Sequence, residues 1–131
     1  MKFKILFYIA GIYDAVLGVS YLFLAKPLFK VFNVPPPNHW GYIQFPALVL
    51  IMFGVMFIAI ARDIRKNYGL ILYGIGLKAA YSGVVFYHWM VHGIPTMWIP
   101  FAIIDFVFML LFIWAYQTVK AGRKPPAVNE A

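Results

Sequence analysis

The sequence predicts an all-α polytopic membrane protein with four transmembrane helices in one bundle and both termini in the cytoplasm. Three observations lead there: the composition, four long apolar runs, and the placement of the basic residues. Hydrophobic residues make up 64% of the 131 residues and charged residues 11%, with a mean hydropathy of +0.83. Soluble domains carry about 25% charged residues. Because so short a chain cannot bury that much apolar surface within itself, we expect lipid to surround it.

The four apolar runs each approach the ~20 residues that a helix needs to cross the hydrocarbon core. Hydrocarbon offers no partners to backbone N–H and C=O groups, so each run is expected to be helical. Proline, glycine and charged residues separate the runs. We place the spans at about residues 3–25, 42–61, 70–91 and 97–118. They form a single transmembrane domain over residues 1–120, followed by a tail at 121–131 that is expected to be disordered and cytoplasmic.

The connection between the first and second spans has an apolar character of its own. Residues 28–34 are mostly apolar, with Lys30 among them. Lys26 precedes the segment and a proline run at 35–37 follows it. This pattern predicts a short segment that lies in the outer membrane interface and ends at the prolines.

The basic residues lie mainly on one side of the predicted bundle. Of the eleven Lys and Arg, eight fall there, Lys26 and Lys30 fall on the other side, and Lys78 lies within a span. The positive-inside rule then places both termini in the cytoplasm, which suits a multi-pass protein of the cytoplasmic (inner) membrane. The net charge of +7 is explained without nucleic acid, and no nucleic-acid partner is predicted. The eight are Lys2, Lys4, Arg62, Arg65, Lys66, Lys120, Arg123 and Lys124.

Three charged residues lie deep inside the predicted spans at similar depth, namely Asp14, Lys78 and Asp105. Facing lipid, each would cost about 2.5–3.5 kcal/mol on insertion scales. They are therefore expected to face inward and to lie near one another. Gly11 and Gly18 share the face of the aspartate in the first span, and small residues also flank the lysine in the third. This spacing predicts close packing of the first span against the third.

Two carboxylates against one ammonium leave a surplus negative charge, so one carboxyl is expected to carry a proton. Two interpretations remain open at this point. In the first, a Lys–Asp pair stands beside a carboxylic acid that exchanges a proton or binds a cation or a ligand amine. In the second, the buried ion pair only determines how the helices align.

Polar residues continue from the lysine toward the outer side of the third span. Tyr81, Ser82 and His88 follow at helical spacing and predict a polar path from the membrane midplane outward. Together with the three charged residues they form the predicted ligand-binding or proton-linked polar core. Its members are Asp14, Lys78, Asp105, Tyr81, Ser82 and His88.

The histidines offer a weak metal-site hypothesis. His88 and His92 are four residues apart, a spacing that lets two imidazoles bind one metal, and His39 could be a third ligand. No Glu follows His88, so the zinc-protease helix motif is absent. We favour interfacial histidines and predict no metal.

Other chemistry is limited. The chain has no cysteine, which excludes thiolate catalysis, disulfides and iron–sulfur clusters. It also has no phosphate-binding loop and no dinucleotide fingerprint. We therefore assign no catalytic residue and no cofactor beyond a quinone or lipid, and we lean toward a protein that is not an enzyme.

Several short motifs resemble those of the small four-helix bacterial membrane proteins grouped as DoxX-like. They are residues 77–81 (LKAAY), His88-Trp89, residues 93–95 (GIP), residues 98–100 (WIP) and Asp105-Phe106, with the Asp14 helix and the apolar segment before the prolines ahead of them. The resemblance covers most of residues 5–118. It implies a bacterial or archaeal cytoplasmic-membrane protein, sometimes associated with quinone-linked redox partner subunits.

Two functional hypotheses follow. The first is a non-enzymatic bundle that binds a lipophilic or small ligand in a polar pocket, or that serves as an accessory subunit of a membrane complex. Membrane lipid, a second copy of the chain or partner subunits are its expected partners. The alternative is a proton-coupled carrier or intramembrane enzyme in which Asp14 or Asp105 is the acid or base and Lys78 tunes it.

Overall fold

The computed structural model describes residues 2–122, and this part of the chain is all-helical, without a strand. The prediction of four helices long and apolar enough to cross a membrane is confirmed. Two short helices and one 3₁₀ turn, Tyr68–Leu70, lie in the connections. The long helices are α1 (Lys2–Phe23), α3 (Gly41–Arg62), α5 (Ile71–Val91) and α6 (Trp98–Gly122), and the short ones are α2 (Ala25–Val31) and α4 (Ile64–Asn67).

The predicted span limits agree with these helices to within a few residues. The largest difference is at the end of α6, which continues to Gly122. The first two residues of the predicted tail at 121–131 are therefore helical, and the remainder of that prediction lies outside the described residues.

The two ends of the bundle differ in composition. We call basic end the one where α1 begins and where α3 and α6 end, because Lys2, Arg62 and Lys120 lie there. The opposite end holds the last turn of α1, the first turns of α3 and α6, and the short helix α2. There Phe29 of α2 packs its ring on Trp40 and Trp98, with centroid distances of 5.4 and 5.8 Å. The apolar segment predicted at 28–34 is thus partly helical, and it packs across this end of the bundle.

Close backbone contact joins α1 to α3. A Cβ atom on Gly11 would lie 2.7 Å from the carbonyl oxygen of Gly54, and one on Gly18 would lie 2.6 Å from the carbonyl oxygen of Ala47. Only glycine allows helices to approach this closely at these positions. The predicted partner of this face was wrong, because the small residues of the first span pack against the second span and not the third. Between α1 and α5 the structure shows an ion pair instead.

The interior near the basic end is filled by aromatic rings from three helices. Phe112 of α6 lies 4.8 Å from Phe7 of α1 and 5.1 Å from Phe57 of α3, measured between ring centroids. Gly74 of α5 makes room for this cluster, since a Cβ there would lie 2.5 Å from the Phe57 ring. The three rings are fully buried, and the Phe57 ring lies next to the Lys78 ammonium, at 5.7 Å from its Nζ.

Candidate functional site

The three intramembrane charged residues meet in the middle of the bundle. The Lys78 ammonium donates hydrogen bonds to Asp14 Oδ1 at 2.8 Å and to Asp105 Oδ1 at 3.0 Å. The residues come from α5, α1 and α6, so one lysine joins three helices. The predicted meeting of these charges is confirmed, and the structure shows that Lys78 pairs with both carboxylates.

The ammonium lies in a dry and aromatic environment. Lys78 is fully buried, and its Nζ lies 5.5 Å from the ring centroid of Tyr13, 5.7 Å from that of Phe57 and 5.2 Å from that of Phe108. The negative faces of such rings attract a cation, more strongly where water is excluded. The two carboxylates and the three rings together compensate for the loss of hydration.

The two carboxylates have different surroundings. The Asp14 side chain is 1% exposed, and its second oxygen, Oδ2, is buried without a hydrogen-bond partner among the described residues. The Asp105 side chain is 8% exposed and lines a cavity. A molecule bound in this cavity can therefore touch Asp105, whereas Asp14 does not line it.

The cavity has a volume of about 400 Å³ and lies between the charged cluster and the opposite end of the bundle. Apolar and aromatic side chains from all four long helices line it, and Asp105 is the one charged residue among the described residues of its wall. On α3 its rim includes Tyr42 and Phe45, which are 71% and 70% exposed at the surface of the bundle. The cavity therefore opens sideways, toward the region that lipid would occupy. Its wall includes Leu17, Tyr21, Ile43, Leu50, Tyr81 and Phe101.

Tyr81, a member of the predicted polar core, contributes to the cavity wall. Its hydroxyl donates a hydrogen bond to the carbonyl oxygen of Trp98 at 3.2 Å, which ties α5 to the start of α6. Tyr21 of α1 stacks on the same tryptophan at 5.7 Å between centroids. Two tyrosines and one tryptophan thus form the part of the cavity wall that is distant from the basic end.

Two other predicted members of the polar core are placed differently. Ser82 is buried, but its hydroxyl donates to the carbonyl oxygen of Lys78 one turn back in the same helix, at 2.6 Å. His88 is exposed on the surface of α5 and does not line the cavity. The predicted polar path from the midplane outward is corrected accordingly, because the helix turns His88 away from the interior.

The histidines do not converge. The imidazoles of His88 and His92 stack at 5.6 Å between centroids, while His39 Nδ1 accepts a hydrogen bond from the backbone N–H of Gly41 at 2.9 Å. Across residues 2–122 no group of three or more metal-ligating side chains comes together.

Sequence reasoning missed the aromatic residues around the ammonium and most of the cavity wall. Tyr13 adjoins Asp14 in sequence, and Phe108 lies one helical turn after Asp105, so helical spacing from each carboxylate could have indicated them. Phe57 carried no such signal, because its position in the cluster depends on how α3 packs against the other helices.

The comparisons with known proteins leave this site to be interpreted from its own geometry. The chain matches no protein-family model, no curated protein and no solved structure.

Proposed function

We propose that this protein is an integral membrane protein that binds an apolar or amphipathic small molecule in the cavity beside Asp105. The observation that carries the proposal is a cavity with mostly apolar walls and a single charged group at its base. Ligand sites in proteins commonly combine a largely apolar wall with a few polar groups that orient the ligand. The volume of about 400 Å³ falls within the roughly 300–1,000 Å³ of such sites.

The sideways opening supports entry from the bilayer. Exposed Tyr42 and Phe45 lie at the rim, and the wall behind them is apolar, so a molecule dissolved in lipid meets no polar barrier on its way in. A quinone or a lipid is a ligand of the right general class. Of the two candidate acid or base groups in the carrier or enzyme alternative, Asp105 is the one a bound molecule would contact.

The distribution of charge supports a location in a cytoplasmic membrane with both termini inside. Within residues 2–122 the basic end holds six of the Lys and Arg side chains, while the opposite end holds Lys26 and Lys30. Basic residues are retained on the cytoplasmic side during insertion. The resemblance to DoxX-like proteins supports a bacterial inner membrane and a role beside redox partner subunits.

Photolabelling in native membranes tests the cavity. A long-chain alcohol with a diazirine at the end distant from its hydroxyl is added to membranes, irradiated, and located by peptide mass spectrometry. We expect labels on α3 and α6 residues of the cavity wall. Leu50→Trp fills the cavity and should remove these labels.

Leu48→Trp is the matched control, because Leu48 lies on the same helix, is 48% exposed and does not line the cavity. This variant should keep the labels. Labels spread evenly over the lipid-facing residues, and equal in the two variants, would contradict the proposal.

A further inference from the structure

We propose that the polar group of the ligand is a cation, most simply a protonated amine, and that it pairs with Asp105. This inference rests on the proposed function, since it names the chemistry of a ligand in the same cavity. The ligand would be a lipophilic amine, with its ammonium at the base of the cavity and its apolar chain directed along the wall toward the rim.

The charge of the cluster is the first argument. Two carboxylates, Asp14 and Asp105, share one ammonium, that of Lys78. Apart from the two carboxylates, the described residues that surround this ammonium from α1, α3 and α6 are the rings of Tyr13, Phe57 and Phe108, and none of them is a cation. The cluster becomes neutral when it gains one further positive charge, either a proton on one carboxyl or a bound cation in place of that proton, and neutrality is strongly favoured in a low-dielectric interior.

Accessibility is the second argument, because it decides where that charge can enter. The Asp14 side chain is 1% exposed and is not among the residues that line this cavity. Asp105 uses one oxygen for Lys78 and lines the cavity. An ammonium that enters from lipid can reach Asp105 alone, and a carboxylate ligand would meet the surplus negative charge and be repelled.

The rings of the cavity wall are the third argument. Tyr21 and Trp98 stack on each other and both line the cavity, as does Phe101. Aromatic faces attract organic cations as well as apolar chains. The wall therefore suits a molecule that carries a positive charge on an apolar body.

Three probes of one chain length test the inference: a diazirine-bearing alkylamine, the alcohol and the fatty acid. Each probe is added so that the membranes take up the same amount of it. Labelling of the peptides that line the cavity is then compared among the three. We expect the amine to label the cavity roughly tenfold more than the alcohol, and the fatty acid less than both. Asp105→Asn should reduce labelling by the amine to the level of labelling by the alcohol.

Asp14→Asn provides a second variant, because it removes the same surplus charge from the closed side and leaves the cavity wall intact. In this variant too, the ratio of labelling by the amine to labelling by the alcohol should fall. Unchanged labelling by the alcohol would show that the cavity still forms. Equal labelling by amine and alcohol in the natural protein would overturn the inference and leave the cavity itself as a ligand site. Absence of labelling by all three probes would instead overturn the proposed function.

Discussion

The two halves of the bundle, on either side of the charged cluster, are filled in different ways. Toward the basic end, the rings of Phe7, Phe57 and Phe112 pack within 6.2 Å of one another and close the interior. Toward the opposite end, the same helices enclose a cavity of about 400 Å³. Side chains of the same four helices line both halves, so the difference comes from how these side chains pack. It indicates that one half holds the bundle together while the other is available for binding.

The largest effect is expected at the boundary between the halves. Lys78→Met leaves two buried carboxylates without a cation and should destabilise the protein by about 3–5 kcal/mol, measured by SDS titration in mixed micelles. Lys30→Met, at an exposed lysine of α2, is the control and should change stability little.

The triple variant Asp14→Asn/Lys78→Met/Asp105→Asn should regain much of that loss, because it removes all the buried charges together. If Lys78→Met were as stable as Lys30→Met, the ion pairs would not contribute to the stability of the three-helix packing.

A second prediction compares the halves directly. Phe112→Ala removes the central ring of the packed half and should cost about 3 kcal/mol, because a void remains where its neighbours cannot collapse. Phe101→Ala, on the same helix but at the cavity wall, should cost about 1 kcal/mol. Thermal unfolding in detergent measures both, and equal losses would contradict the division into a packed half and an open half.

The close approach of α1 and α3 is tested by adding one methyl group. Gly11→Ala places a Cβ 2.7 Å from a backbone oxygen of α3 and should destabilise the bundle by about 2 kcal/mol. Gly76→Ala is the matched control, because a Cβ there meets nothing within 4 Å. It should be neutral or slightly stabilising, since alanine favours helix. SDS titration of both variants checks this difference.

The smallest effect is expected at the cavity wall. Tyr81→Phe removes the hydrogen bond to the Trp98 carbonyl oxygen and should cost about 0.5 kcal/mol, with Tyr87→Phe, which is 59% exposed, as the control. A loss of several kcal/mol would mean that this bond, and not packing, joins α5 to α6 in the open half.

Much of the architecture was predictable because the membrane imposes it. Helix length follows from bilayer thickness, and the inward position of Asp14, Lys78 and Asp105 follows from the cost of exposing charge to hydrocarbon. The face of each helix could also be read from its spacing. Hydropathy does not show which helix a given face packs against, because lipid tails and core side chains are both apolar. For this reason the spacing of Gly11 and Gly18 does not show that their neighbour is α3. His88 is a different case, because a separation of ten residues does not return an α-helix to the face of Lys78.

Residue type and spacing alone are enough to predict the number of helices able to cross a membrane, their approximate limits and the presence of a buried charge cluster. They do not show that Lys78 bridges both carboxylates, or that Asp105 lines a cavity while Asp14 does not. Those properties depend on how α1 and α3 pack as one close pair beside α5 and α6, and this packing is specified by contacts between residues far apart in the chain.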